Sequence, residues 1–85
     1  MSWQVHIAKS AKKNLKHFLQ KYQDHILLAL RELAVNPYAG DIEKIGGEQN
    51  TWHRRVGSYR ILYEINVASK LISVRTIDRR TSNTY

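Results

Sequence analysis

No cysteine occurs among the 85 residues. Disulfide bridges, thiolate nucleophiles and cysteine-based zinc sites are therefore excluded, and a reducing compartment is permitted. Proline occurs once and glycine four times, which is too little for a linker, a collagen-like repeat or a low-complexity tail. No long apolar run exists: the longest, Ile26 to Leu30, has five residues against the ~20 a membrane-spanning helix needs. The first residues do not follow a basic segment with an apolar one, so the sequence reads as a cytoplasmic chain with no membrane partner. Acidic residues are also few, seven against fourteen lysines and arginines, leaving a formal net charge of +7. Such an excess on one small domain points to a polyanionic partner such as RNA, DNA, a ribosome or an acidic protein.

The positive charges fall into two unlike groups. Five of the seven lysines lie between positions 9 and 21, and six of the seven arginines lie between 54 and 80. Guanidinium forks grip phosphates in a bidentate fashion, whereas lysine is a flexible point charge. The C-terminal half is thus the expected seat of specific phosphate chemistry.

The chain from 1 to 85 reads as one α+β domain. Trp3 to Ile7 alternates apolar and polar residues as a short strand does. Ser10 is positioned to cap a helix in which Ala11, Leu15, Phe18 and Tyr22 recur at helical spacing. Asp24 is positioned to cap a second helix carrying Ile26, Leu27, Leu30, Leu33 and Ala34, which Asn36 and Pro37 stop. The short link predicts an antiparallel helical hairpin. Pro37 to Asn50 reads as connection, turning at Gly40 and at Gly46 and Gly47, with room for a brief strand at Ile42 to Ile45. Three strands follow, at Trp52 to Val56, Tyr59 to Val67 and Lys70 to Asp78. Gly57 and Ser58 form the two-residue turn of the first hairpin, and Ala68 and Ser69 turn the second. The predicted order is β-α-α-β-β-β, a helical hairpin packed on an antiparallel sheet.

Those turns assign faces, because side chains alternate along a strand. Arg55 is expected opposite Arg60, His53 opposite Leu62, Arg60 opposite Ile77, Leu62 opposite Arg75, and Glu64 opposite Ser73. One face then carries His53, Arg55, Arg60, Leu62, Glu64, Arg75 and Arg79. The other carries Trp52, Val56, Tyr59, Ile61, Tyr63, Ile65, Ile72 and Val74 and packs on the helices. Like charges opposite one another destabilise a sheet unless an anion lies between them. An anion site over the basic face is one reading; a solvated face whose arginines pair with Glu43, Glu48, Glu64 and Asp78 is the other.

Arginines and a histidine without a metal cluster suit RNA cleavage that needs neither metal nor cofactor. The 2′-hydroxyl attacks the adjacent phosphate, a base takes its proton, cations hold the charge and an acid protonates the leaving oxygen. Arg60 and Arg79 are the candidate phosphate clamp, His53 or Glu43 the candidate base, and a residue of the tail the acid. Tyr85 is a candidate for stacking on a nucleobase. Lys44, Arg54, Arg55, Arg75 and Arg80 are further candidates for phosphate contact. Other chemistries lack their residues. His6, His17 and His25 do not have metal-ligand spacing, no lysine and serine follow Gly46 and Gly47 as a phosphate loop requires, and no third helix completes a helix-turn-helix.

The run from Trp52 to Ile65, Trp-His-Arg-Arg-Val-Gly-Ser-Tyr-Arg-Ile-Leu-Tyr-Glu-Ile, resembles the signature of the RelE/ParE toxin superfamily. Lys44, Ile45 and Gly46, the pair Asn36 and Pro37, and Arg79 fit the same pattern over the whole chain. The resemblance implies a type II toxin of microbial-RNase-like fold with a cognate acidic antitoxin as partner. In the RelE-like branch it implies entry into the ribosomal A site and cutting of mRNA there; in the ParE-like branch it implies inhibition of DNA gyrase. It further implies that Arg60 is the arginine of the family's Tyr-Arg pair, and that Arg79 and Tyr85 match a late arginine and tyrosine. His53 stands where some members have a catalytic lysine, Glu43 near the acid of YoeB-like members, and Thr51 where a second lysine is common.

Overall fold

Alternation in the C-terminal half builds most of the molecule, and the helices cover what it leaves apolar. The computed structural model describes residues 3–45 and 50–79. Its elements run β1 (Gln4–Ile7), α1 (Lys9–Lys16), α2 (Gln20–Val35), β2 (Ile42–Lys44), β3 (Thr51–Val56), β4 (Tyr59–Asn66) and β5 (Leu71–Arg79). The sheet has five strands in the order β1-β5-β4-β3-β2. It is mixed, because β1 runs parallel to β5 while every other pair is antiparallel. The fold class is therefore the expected α+β, with one strand more than the predicted order and one parallel pair in place of a wholly antiparallel sheet. The parallel pair follows from the chain path, since the two helices together carry it back across the sheet before β2 begins.

The helices start differently from their sequence signals. Ala8, not Ser10, caps α1, and no side-chain bond serves there. Likewise α2 begins at Gln20 with Leu19 as its cap, four residues before the Asp24 expected to cap it. Asp24 instead accepts a bond from Gln20 one turn earlier (3.0 Å), and Gln23 Nε2 ties the link by donating to the Phe18 carbonyl (2.8 Å). Phe18 and Tyr22 consequently fall outside α1, yet both still serve the core: their rings flank Tyr59 at 4.5 and 5.2 Å between centroids.

One core cluster lies between helices and sheet. Ala11, Ile26, Ala29, Leu30 and Leu33 come from the helices, and Tyr59, Ile61, Tyr63, Ile65, Ile72, Val74 and Ile77 from the sheet. Leu27, expected in the stripe of α2, is 41% exposed, and Ala29 takes its place inside. In the sheet the buried residues of β5 break the two-residue period between Val74 and Ile77. A β-bulge absorbs the break: Leu62 pairs with Thr76 and Tyr63 with Val74, leaving Arg75 as the extra residue. Strict alternation would have buried Thr76 and Asp78.

Tyr63 is fully buried, and its hydroxyl donates to the Pro37 carbonyl at 2.8 Å. Burial pushes its pKa up to about 12. Because the unfolded phenol ionises near pH 10, this stabilisation is complete below that pH and is lost as pH rises through 12. Tyr63→Phe is expected to cost about 1 kcal/mol at pH 7 and to remove part of the alkaline destabilisation, as urea unfolding at pH 7 and pH 11 would show.

Candidate functional site

The face of the sheet opposite the helices gathers the titratable side chains. Its arrangement begins at the β3–β4 hairpin, where Gly57 has φ +59° and starts a two-residue turn. That turn sets Arg55 opposite Arg60 and His53 opposite Leu62, as the sequence predicts. On the outer side, β2 sets Glu43 opposite His53. The open face thus reads Glu43, His53 and Arg55, then Arg60, across three adjacent strands.

Glu43 and His53 form the closest polar contact of this group. His53 Nε2 lies 2.9 Å from Glu43 Oε1, with the histidine side chain 11% and the glutamate 60% exposed. His53 Nδ1 is buried with no partner. The bond from His53 holds the Glu43 carboxyl below the usual carboxylate range, helped by the charges of His53, Arg55 and Arg60. Arg55 is itself held by Asp41, through Nη2 to Oδ1 at 3.1 Å and through its backbone N–H to the Asp41 carbonyl at 2.8 Å.

Arg60 differs from its neighbours. Arg75 is paired with Glu64, and Arg55 with Asp41. Arg60 is only partly exposed, yet among the described residues it makes no hydrogen bond or ion pair. Asp78 is opposite it in register, but its carboxylate accepts from Asn14 Nδ2 of α1 at 3.2 Å. A half-buried guanidinium facing a second arginine, with the carboxylate opposite it bonded to Asn14, can pair with an external anion.

The bulge corrects two expected pairs: Arg60 faces Asp78 rather than Ile77, and Leu62 faces Thr76 rather than Arg75. It also moves Arg79 out of the Arg60 row. Arg79 is exposed and stands opposite Tyr59, in register with the helix-covered side. Lys44 is exposed and opposite Trp52 on that same side. Arg54, expected among the phosphate contacts, also belongs there. Its side chain is 12% exposed and donates to Glu32 Oε1 of α2 (2.7 Å) and to the Ala39 carbonyl (3.3 Å). Arg54 thereby fastens α2 to β3 and is unavailable to a phosphate. Arg80 and Tyr85 lie outside the described residues, as does the expected turn at Gly46 and Gly47. Among the described residues no three histidine, aspartate or glutamate side chains gather as metal ligands. No helix among them is long and apolar enough to cross a membrane.

Comparison with known proteins bears on the family and the fold. Residues 5–83 match the family model of the ParE toxin of the type II toxin-antitoxin system parDE. The chain is 34% identical over 85 residues to Toxin RelE3 of Methanocaldococcus jannaschii, covering 95% of this chain and 96% of that one. The chain belongs to the RelE/ParE toxin superfamily. RelE of the Pyrococcus horikoshii RelE–RelB complex superposes with a TM-score of 0.84 at 24% identity, covering 96% of this chain and 99% of that one. The isolated Escherichia coli RelE toxin superposes with 0.85 at 13% identity, covering 98% and 89%. These two likenesses establish a shared RelE fold.

Within this RelE/ParE chain, no sequence pattern marks Asp41 or Glu32, and Gly40 reads only as a turn point. Glu32 has no local signal, because its partner Arg54 is 22 positions away. Gly40 is legible afterwards: it has φ +82°, and a Cβ there would lie 2.4 Å from Arg54 Cζ. Gly40→Ala is expected to lower stability by about 1–2 kcal/mol, through a strained backbone and a displaced Arg54. Thermal unfolding of this variant beside Arg54→Ala checks it, and the double variant should lose less than the sum.

Proposed function

We propose that this RelE/ParE toxin is a ribosome-dependent endoribonuclease that cuts mRNA in the A site. The observation that carries this reading is Arg60, a half-buried guanidinium on the open face with no partner among the described residues. A phosphate between Arg60 and Arg55 would relieve their repulsion and be gripped from both sides. The Glu43–His53 pair lies beside it to accept the 2′-hydroxyl proton. As the 2′-oxygen bonds to phosphorus, the two guanidiniums meet the extra negative charge, and the bond to the 5′-oxygen breaks. The acid that protonates that oxygen comes from the C-terminal tail, where Arg80 and Tyr85 supply further phosphate and base contacts; Arg79, in register with the helix-covered side, is not part of the clamp. No step calls for a metal or a cofactor. The reaction belongs to the cytoplasm, where ribosomes are.

The partner that restrains it is a cognate antitoxin. RelE proteins of similar fold are known in RelE–RelB and RelBE complexes. A net charge of +7 suits an acidic segment that wraps the toxin and folds on binding.

The test is a stalled ribosome programmed with end-labelled mRNA, incubated with purified toxin and resolved on a gel. Cleavage in the A-site codon is expected from the unaltered chain. Arg60→Ala is expected to lower the rate by about 100-fold or more and to abolish growth arrest, while antitoxin binding and the circular dichroism spectrum stay unchanged. A fully toxic Arg60→Ala variant would remove Arg60 from the site. A second reading, gyrase inhibition, draws on the match to the ParE model. It requires intact mRNA together with inhibited DNA supercoiling by gyrase.

A further inference from the structure

Helix α2 carries more apolar surface than the core uses. Ile26, Ala29, Leu30 and Leu33 are buried in the core, yet Leu27, Leu28 and Val35 stand 41%, 56% and 71% exposed. At 3.6 residues per turn, Asp24, Leu27, Leu28, Arg31 and Val35 fall within about 100° of one another, on the side of the helix opposite Ile26, Ala29 and Leu33. Asp24, Leu27, Leu28 and Arg31 line one hollow of about 180 Å³. Leu27 and Arg31 also line a second, of about 270 Å³, that α2 shares with Val5 and Ile7 of β1. We propose that this stripe pairs with the same stripe of a second copy of the chain, the two α2 helices lying antiparallel about a two-fold axis between Leu27 and Leu28.

The order of residues along the stripe selects a second copy as the occupant. A two-fold interface sets a patch against itself, so each charge in it must meet its opposite by symmetry. With the axis midway between positions 27 and 28, Asp24 of each copy meets Arg31 of the other, and Leu27 meets Leu28. Both charges are available for this. Arg31 is exposed and, among the described residues, makes no hydrogen bond or ion pair. Asp24 is exposed and accepts from the neutral Gln20 amide at 3.0 Å, with no cation beside it. Within one helix the two stand about 10 Å apart along the axis, too far to pair with each other. An acidic segment or an RNA would satisfy Arg31 and repel Asp24, so the mixed signs favour a copy of the same stripe. The exposed ion pairs fix register and direction, and the leucines supply the attraction. One helix pair is a small interface and the +7 of each copy opposes approach, which makes the association weak and reversible. Because α2 lies on the helix-covered side of the sheet, pairing leaves the open face with Arg60 uncovered in both copies.

Sedimentation equilibrium of the antitoxin-free chain, at salt that screens the net charge, reads the association directly. The unaltered chain is expected to approach twice its 10.0 kDa as protein concentration rises. Asp24→Arg and Arg31→Asp, each alone, set like charges together at both ends of the helix pair and are expected to stay monomeric. An equimolar mixture of these two variants regains both opposite-sign contacts and is expected to form a heterodimer, and the double variant is expected to pair with itself. Leu28→Ser, at an exposed position, is expected to weaken association about tenfold or more with thermal unfolding unchanged. An unaltered chain that stays monomeric at every concentration would overturn the proposal. Single charge variants that associate as well as the unaltered chain, or a mixture that stays monomeric, would overturn the two-fold register. Charge variants that lose antitoxin binding, beside an unaltered chain that does not self-associate, would assign the stripe to the antitoxin instead.

Discussion

The two-residue turn at Gly57 and Ser58 sets the register on which both faces of this protein depend. Gly57 adopts φ +59° at no steric cost, and the turn then locks Val56 to Tyr59 and Arg55 to Arg60. A slip of one residue would carry Trp52, Ile61 and Tyr63 into water and bring His53 and Arg60 against the helices. Packing of the helices on Ile61, Tyr63 and Ile65 makes that slip prohibitively costly. The energy that forms the core is thus the same energy that holds two arginines facing each other on the opposite side.

That enforced proximity is compensated unevenly, and the unevenness marks the site. Asp41 answers Arg55, Glu64 answers Arg75, and Glu32 answers Arg54 across the sheet. These contacts are partly exposed at one or both ends and add little individually to stability. Their consequence is positional: Arg54 fastens α2, Arg55 is held beside the short strand β2, and Arg60 is left over. Glu43, on β2, is brought to His53 by the same pairing that anchors Asp41 near Arg55.

Much of this was legible in the sequence, and the failures have local causes. The β3–β4 hairpin obeys alternation because β4 carries an uninterrupted two-residue pattern and the turn at Gly57 and Ser58 fixes β3 against it. The β4–β5 pairing held at Glu64 with Ser73 but slipped past Leu62, because the apolar spacing from Val74 to Ile77 is three. That spacing is visible in the sequence and could have placed Asp78, rather than Ile77, opposite Arg60. The helix starts depart from their sequence signals for a different reason. Neither helix uses a side-chain cap, so Ser10 and Asp24 signalled boundaries that tertiary packing overrode. The partner of Arg54 was not legible at all, since it lies on another element 22 positions earlier.

The central claim is that RNA lies across the open face of the sheet, with its phosphate at Arg60. The most direct measurement is an NMR titration of the arginine Nε–H signals with a short RNA whose reactive 2′-hydroxyl is replaced by hydrogen. Saturable shifts at Arg55 and Arg60, with Arg54 and the lysines of α1 unmoved at moderate salt, are the result the account requires. Shifts confined to the lysines of α1, with Arg60 unmoved, would contradict it.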